Sequence, residues 1–179
     1  MKVKKLLAAL ALSAVLLSSC SKDESGVLKG SYTYKISGTV TLMATALAGL
    51  DAATLAAYAA AGVDVNPVVV GLTPEQGQMN ILEDEGRLIL TMNNLLGNVD
   101  VADALADNGT ITIQGTPTKA VTLTDGEKTL GSGIVNYIGG GKKIDDVLIL
   151  DFQYTGRCSV EGIDMVVVAS DVHCVAKYN

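Results

Sequence analysis

Tyr32-Thr33-Tyr34-Lys35-Ile36-Ser37-Gly38-Thr39-Val40-Thr41-Leu42 alternates almost without a break. Tyr32, Tyr34, Ile36, Val40 and Leu42 fall on one face, and Thr33, Lys35, Ser37, Thr39 and Thr41 on the other. A period of two over so long a run is the pattern of a strand with one face in a core and one in water. Gly38 stands on the apolar face, where a missing side chain suits a bend or the close approach of another backbone.

Outward from this run the same grammar recurs. Met79 and Ile81 alternate with Gln78 and Asn80, and Leu88, Leu90 and Met92 with Arg87, Ile89 and Thr91. Between them Glu83-Asp84-Glu85-Gly86 reads as a hairpin loop. Thr110 to Gln114 and Ala120 to Thr124 are further alternating runs separated by Gly115-Thr116-Pro117, and Asp125-Gly126 reads as a turn. Gly133 to Ile138, Ile144 to Thr155, Ile163 to Ala169 and Asp171 to Tyr178 complete the set, with Gly139-Gly140-Gly141-Lys142-Lys143 read as a loop. Asn98 to Asn108 suits a strand or a short helix equally. About eight to ten short strands joined by hairpins predict a mainly β protein, an antiparallel meander barrel with a β-sandwich as the alternative.

One segment departs from the period of two. Ala44 to Gly62 is rich in alanine and leucine, with Asp51 as N-cap of a helix over 52–61 and Gly62 at its C′ position. As a membrane span it would bury Asp51 near its middle, so a short cap helix lying on the strands is expected. Thr73-Pro74-Glu75-Gln76 has capping-box spacing with proline at the first helical position, enough for one turn before Gly77.

The N-terminus supplies an address. Lys2, Lys4 and Lys5 precede an apolar run from Leu6 to Leu17, and Leu17-Ser18-Ser19-Cys20 closes it. The run is too short to span a bilayer, for which about 20 residues are needed, and it reads as a cleaved secretory signal over 1–19. A cysteine at the cleavage point is the pattern of a bacterial lipoprotein, with a diacylglycerol on the Cys20 thiol. Residues 20–29 are then a lipidated tether and 30–179 a single β-barrel domain. The signal holds three of the 13 basic residues, which leaves 10 against 19 acidic ones and a net charge of −9 on the mature chain. Such a surface repels polyanions, so nucleic acid is not an expected partner.

Ser21-Lys22-Asp23-Glu24-Ser25 resembles the acidic export signal that follows the lipidated cysteine in lipoproteins of Bacteroidetes, which implies display on the outer face of the outer membrane, with the periplasmic face as the alternative. With Cys20 spent on lipid, Cys158 and Cys174 remain in an oxidising compartment and are expected to form a disulfide. Strand parity places Cys174 on a core face, and Cys158 too unless Gly156 marks a bulge.

Catalytic templates are absent. Gly139-Gly140-Gly141-Lys142-Lys143 lacks the spacing and hydroxyl of a phosphate loop, and Gly131-Ser132-Gly133 lacks the spacing of a nucleophile elbow. His173 is the sole histidine and is expected to face outward. Asp107-Asn108-Gly109 reads as a plain turn in place of a calcium loop. Of the aromatics, Tyr32, Tyr34, Phe152, Tyr154 and Tyr178 fall on core faces, leaving Tyr58 and Tyr137 as candidate exposed platforms. No catalytic residue, metal site or cofactor is expected.

The lipobox, the acidic tether, Gly30-Ser31-Tyr32 opening the first strand, the hairpin at Asp84-Glu85-Gly86 and the late paired strands together resemble the small Bacteroidales lipoproteins with a calycin-like (lipocalin-like) β-barrel. Tyr32 stands where lipocalins carry the Trp of G-x-W. The resemblance implies a barrel closed by hydrogen bonding, with any cavity inside. The functional expectation is a lipid-anchored, non-enzymatic cell-surface binding module for a small or apolar ligand. Tyr32, Tyr34, Phe152, Tyr154 and Tyr178 are the candidates to line its cavity. The alternative is a structural or partner-binding lipoprotein of an outer-membrane assembly.

Overall fold

The computed structural model describes residues 28–85 and 87–179. The signal over 1–19, Cys20, the export signal and Gly86 lie outside the described residues. The protein is mainly β, with strands β1 (Gly30–Ala44), β2 (Val68–Leu72), β3 (Glu75–Asp84), β4 (Arg87–Asn94), β5 (Val99–Asp107), β6 (Thr110–Ile113), β7 (Thr118–Asp125), β8 (Lys128–Ile144), β9 (Val147–Val160) and β10 (Ile163–Tyr178). One helix, α1 (Ala52–Ala60), follows β1. All strand pairings are antiparallel, and β10 returns to pair with β1, so the strands form a closed ring.

The ring is branched. Gly30–Ile36 of β1 pairs with β3, while Thr39–Leu42 pairs with β2, so β2 and β3 lie end to end along one edge of β1. Likewise β6 and β7 lie end to end along one edge of β8, with Thr110–Thr112 opposite Gly140–Lys142 and Thr118–Asp125 opposite Lys128–Asn136. At one end β2 pairs directly with β7 through Gly71↔Thr124 and Leu72↔Leu123. At the other end the β4–β5 hairpin is inserted between β3 and β6. The circuit therefore has six strands at the first end and eight at the second, and it flares because barrel width grows with strand number.

Two expected loops and turns are resolved differently by this branching. Thr73-Pro74 makes no helical turn; it is the kink at which the β2–β3 path leaves β7 for β4. Proline fits there because it lacks the N–H that a continuous ladder would need. The glycine run 139–141 is part of β8, opposite Phe152, Asp151 and Leu150 of β9. A Cβ on Gly141 would lie 1.8 Å from the Ile149 carbonyl oxygen, and one on Gly140 2.4 Å from that of Ile111. Glycine is required by the approach of neighbouring backbones, as the sequence suggests for Gly38, whose Cβ would meet Asp171 O at 2.1 Å. Asn98 to Asn108 resolves as strand β5 ending in a turn, and Asn108-Gly109 (φ 50° and 72°) and Glu161-Gly162 (φ 50° and 84°) close two-residue hairpins.

The inward faces are those the alternation marks: Tyr32, Tyr34, Ile36, Val40 and Leu42 of β1 and Leu148, Leu150, Phe152 and Tyr154 of β9 are all buried. Tyr137 is buried as well, contrary to the exposed platform expected of it, and its ring packs at 5.4 Å from that of Phe152. The helix also corrects an expectation. Asp51 caps it through bonds from Ala53 N and Thr54 N at 2.9 and 3.0 Å, and Gly62 takes φ 84°. Yet no residue of α1 is buried, so it does not lie on the strands as a cap. Its alanines offer too little apolar area to hold it there. Among the described residues no helix is long and apolar enough to cross a bilayer.

Candidate functional site

Where the β2–β3 and β6–β7 paths diverge, the tip of the β4–β5 hairpin enters the fork, and a cleft of about 620 Å³ opens between them. Glu75 and Gln76 line it from the first path, Lys119 to Thr122 from the second, and Leu95 and Leu96 from the hairpin tip. Tyr154 and Ile134 contribute from β9 and β8.

Two charged side chains at the floor, Glu75 and Lys119, line the cleft, and Asp100 of β5 joins them through Lys119, so each element that meets at the fork supplies one. Lys119 Nζ donates to Glu75 Oε1 at 2.8 Å and also to Asp100 Oδ2. The Lys119 side chain is 6% exposed, that of Glu75 17% and that of Asp100 15%. Tyr34 Oη adds a bond to Glu75 Oε1 at 2.6 Å. At a fork the diverging strands cannot complete a ladder, and this triad ties the three elements through side chains instead. A buried ammonium is stable only when paired and hydrogen-bonded.

The triad imposes a negative potential on its surroundings. Burial, followed by the Glu75 bond and charge, pushes the Tyr34 hydroxyl far above its ordinary value. Tyr154 and Tyr137 are raised by burial first, with the charges of Glu75 and Asp100 adding to it. The Tyr137 hydroxyl is buried without a hydrogen-bond partner.

Of the aromatics expected around a cavity, Tyr154 lines the cleft and Tyr34 reaches its floor. Tyr32 and Phe152 are core, Tyr32 donating to Leu28 O at 2.7 Å. Tyr178 is 42% exposed at the end of β10, edge-on to Tyr32 at 5.3 Å with Lys143 Nζ 4.4 Å from its ring centre. Sequence reasoning missed this triad: Glu75 stands in the capping-box pattern, and Lys119 and Asp100 in no motif, yet the signal that could have found them is strand parity. Glu75 shares a face with Gly77, Met79 and Ile81, Asp100 with Ala102 and Ala104, and Lys119 with Val121 and Leu123. A charge at an inward strand position is a legible anomaly.

The disulfide expected between Cys158 and Cys174 is corrected: both are free, buried thiols. They share the interior but not a level. Cys158 stands opposite Met165 and Cys174 opposite Leu150, a separation along β9 of roughly 25 Å at about 3.3 Å per residue. A bridge needs Cα atoms within about 7 Å. Burial pushes Cys158 up and Cys174 up to about 12, which withholds the reactive thiolate. Alkylation of protein purified without reductant is expected to be slow for both in the native state and complete for both in denaturant. A mass unchanged by alkylation in denaturant would restore the bridge.

His173 faces outward as expected, with Nδ1 2.6 Å from Asp151 Oδ1 and Nε2 3.0 Å from Asp171 Oδ1. The Asp151 bond raises its pKa. Ser170 is engaged elsewhere, accepting from Tyr154 N at 2.8 Å. Among the described residues no group of three His, Cys, Asp or Glu side chains is placed so that it could hold a metal ion. No protein-family model, curated protein or solved structure matches the chain.

Proposed function

We propose that the protein is a non-enzymatic binding module, anchored at the outer membrane by a lipid on Cys20 and displayed on the cell surface, that takes a small ligand into the fork cleft. The observation that carries the reading is the cleft itself. Its volume of about 620 Å³ falls in the range of small-molecule sites, roughly 300–1,000 Å³. Its walls combine apolar side chains with a few convergent polar groups, the composition that fixes a ligand's orientation. Buried core side chains form one cluster in the interior, and the ligand is placed in the fork and not along the barrel axis. The lipobox supports the address, and the resemblance to calycin-like Bacteroidales lipoproteins supports the class.

Native mass spectrometry of the protein extracted in detergent from its own membranes tests both parts. The expected spectrum is a chain beginning at acylated Cys20, with a small molecule retained at low collision energy and released at high energy. A chain that begins at Met1, or begins at Cys20 without lipid, would remove the anchor. A chain that holds nothing, and gains nothing on incubation with a cell extract, would remove the ligand.

One observation favours a partner-binding reading instead. No residue of the helix α1 is fully buried, and Tyr58 is 44% exposed. Crosslinks in intact cells between α1 and an outer-membrane protein would support that reading, and recovery of monomer alone would count against it.

A further inference from the structure

The cleft floor is unbalanced in charge, and its mouth is apolar. We propose that the fork cleft selects ligands with a cationic amine head on an apolar body, an inference that rests on the cleft being the ligand site. Two carboxylates, Glu75 and Asp100, share one ammonium, Lys119. Lys119 is the only cation among the described residues that line the cleft. One unit of negative charge is therefore left uncompensated at a site where all three side chains are more than four-fifths buried. Uncompensated charge in such surroundings is costly, and a ligand ammonium offsets it.

An anionic head would do the opposite. It would bring a third negative charge beside Glu75, and its only counter-ion would be an ammonium already divided between two carboxylates. A bare metal ion fits no better, because Lys119 Nζ occupies the position between the carboxylates that a metal would take.

One further observation points the same way. At the mouth, Leu95 and Leu96 of the hairpin tip are 73% and 87% exposed and Ile134 is 67% exposed. These side chains offer an apolar wall that the protein itself leaves uncovered. Head and body sites are thus joined in one cleft.

The test uses the full mature chain carrying Cys20→Ala, so that no lipid competes for the probes. Three probes share one body: n-octylamine, which is protonated at neutral pH, n-octanol and octanoate. Each is titrated at pH 7 while backbone amide shifts are followed at residues 73–76, 94–98 and 119–122. Octylamine is expected to bind about tenfold more tightly than octanol, as one charge-assisted hydrogen bond supplies, and octanoate more weakly than either. Glu75→Gln is expected to bring octylamine to within about threefold of octanol, and Asp100→Asn serves the same purpose if the first variant does not fold. Leu96→Ser is expected to weaken octylamine and octanol alike. If octanol or octanoate matches octylamine at these residues, the cleft binds ligands but the amine preference is overturned. If no probe shifts these residues at millimolar concentration, both the preference and the cleft as the ligand site are overturned.

Discussion

Lys119→Met is expected to destabilise the folded protein by about 3–5 kcal/mol, the cost of removing one partner from a buried ion group. The methionine side chain fills most of the same volume, so the loss is electrostatic and not a cavity effect. What remains is Glu75 and Asp100, each more than four-fifths buried, facing the place where Nζ stood. The origin of the loss is separable. Adding Glu75→Gln and Asp100→Asn to the same chain removes the orphaned charges, and replacing a buried ion group as a whole is often nearly neutral. The triple variant is therefore expected to regain at least half of what Lys119→Met loses. Denaturant midpoints at constant slope measure both numbers. A Lys119→Met variant within about 1 kcal/mol of wild type, the range of an exposed ion pair, would show that the triad does not hold the fork.

The triad illustrates where reading the sequence stops. Alternation in Tyr32–Leu42 names the inward face of β1 because period two is a local property, and burial at Tyr32, Tyr34, Ile36, Val40 and Leu42 agrees with it residue by residue. Pairing is not local. Nothing in Val68-Val69-Val70-Gly71-Leu72 or in Thr118 to Asp125 says that these strands meet, and that one pairing converts a meander into a branched ring with a cleft. Thr73-Pro74-Glu75-Gln76 satisfies the local rules of a helix start, yet Glu75 and Gln76 are paired with β1 and Thr73 N donates to Thr122 O of β7. Tertiary pairing overrides a one-turn propensity that has no apolar stripe behind it. The cysteines fail for a similar reason, since parity assigns a face but not a height along it. Register alone separates Cys158 from Cys174. Glu75 sits inside that capping-box pattern, Asp100 in a stretch that suits strand or helix equally and Lys119 just before the run from Ala120, so local pattern assigns none of them a face. The pairings of β3, β5 and β7 turn all three inward.

Gly141→Ala has the opposite sign from what a flexible loop would give. In a loop free of contacts, alanine for glycine stabilises by roughly 0.4–1 kcal/mol, because it restricts the unfolded chain. In β8 the new Cβ would sit 1.8 Å from Ile149 O and 2.7 Å from Ile149 C, both backbone atoms that cannot rotate away. Relief requires β8 and β9 to separate, and overpacking of this kind costs about 1–3 kcal/mol or more. The expected outcome is a loss of about 3 kcal/mol, at the upper end because the obstacle on β9 is main chain and the neighbouring Gly140 is itself confined by Ile111 O on β6. Thermal or denaturant unfolding of Gly141→Ala and Gly140→Ala decides between the two accounts, and a gain in stability for either would return that glycine to a loop role. The consequence reaches the cleft. Residues 136–140 of β8 carry the strand from its partner β7 to its partner β6, so a β8 forced off β9 alters the angle between the fork's arms. Gly141→Ala protein that still folds is therefore expected to show a changed cleft, read as amide shifts at residues 94–98 and 119–122 that exceed those in α1.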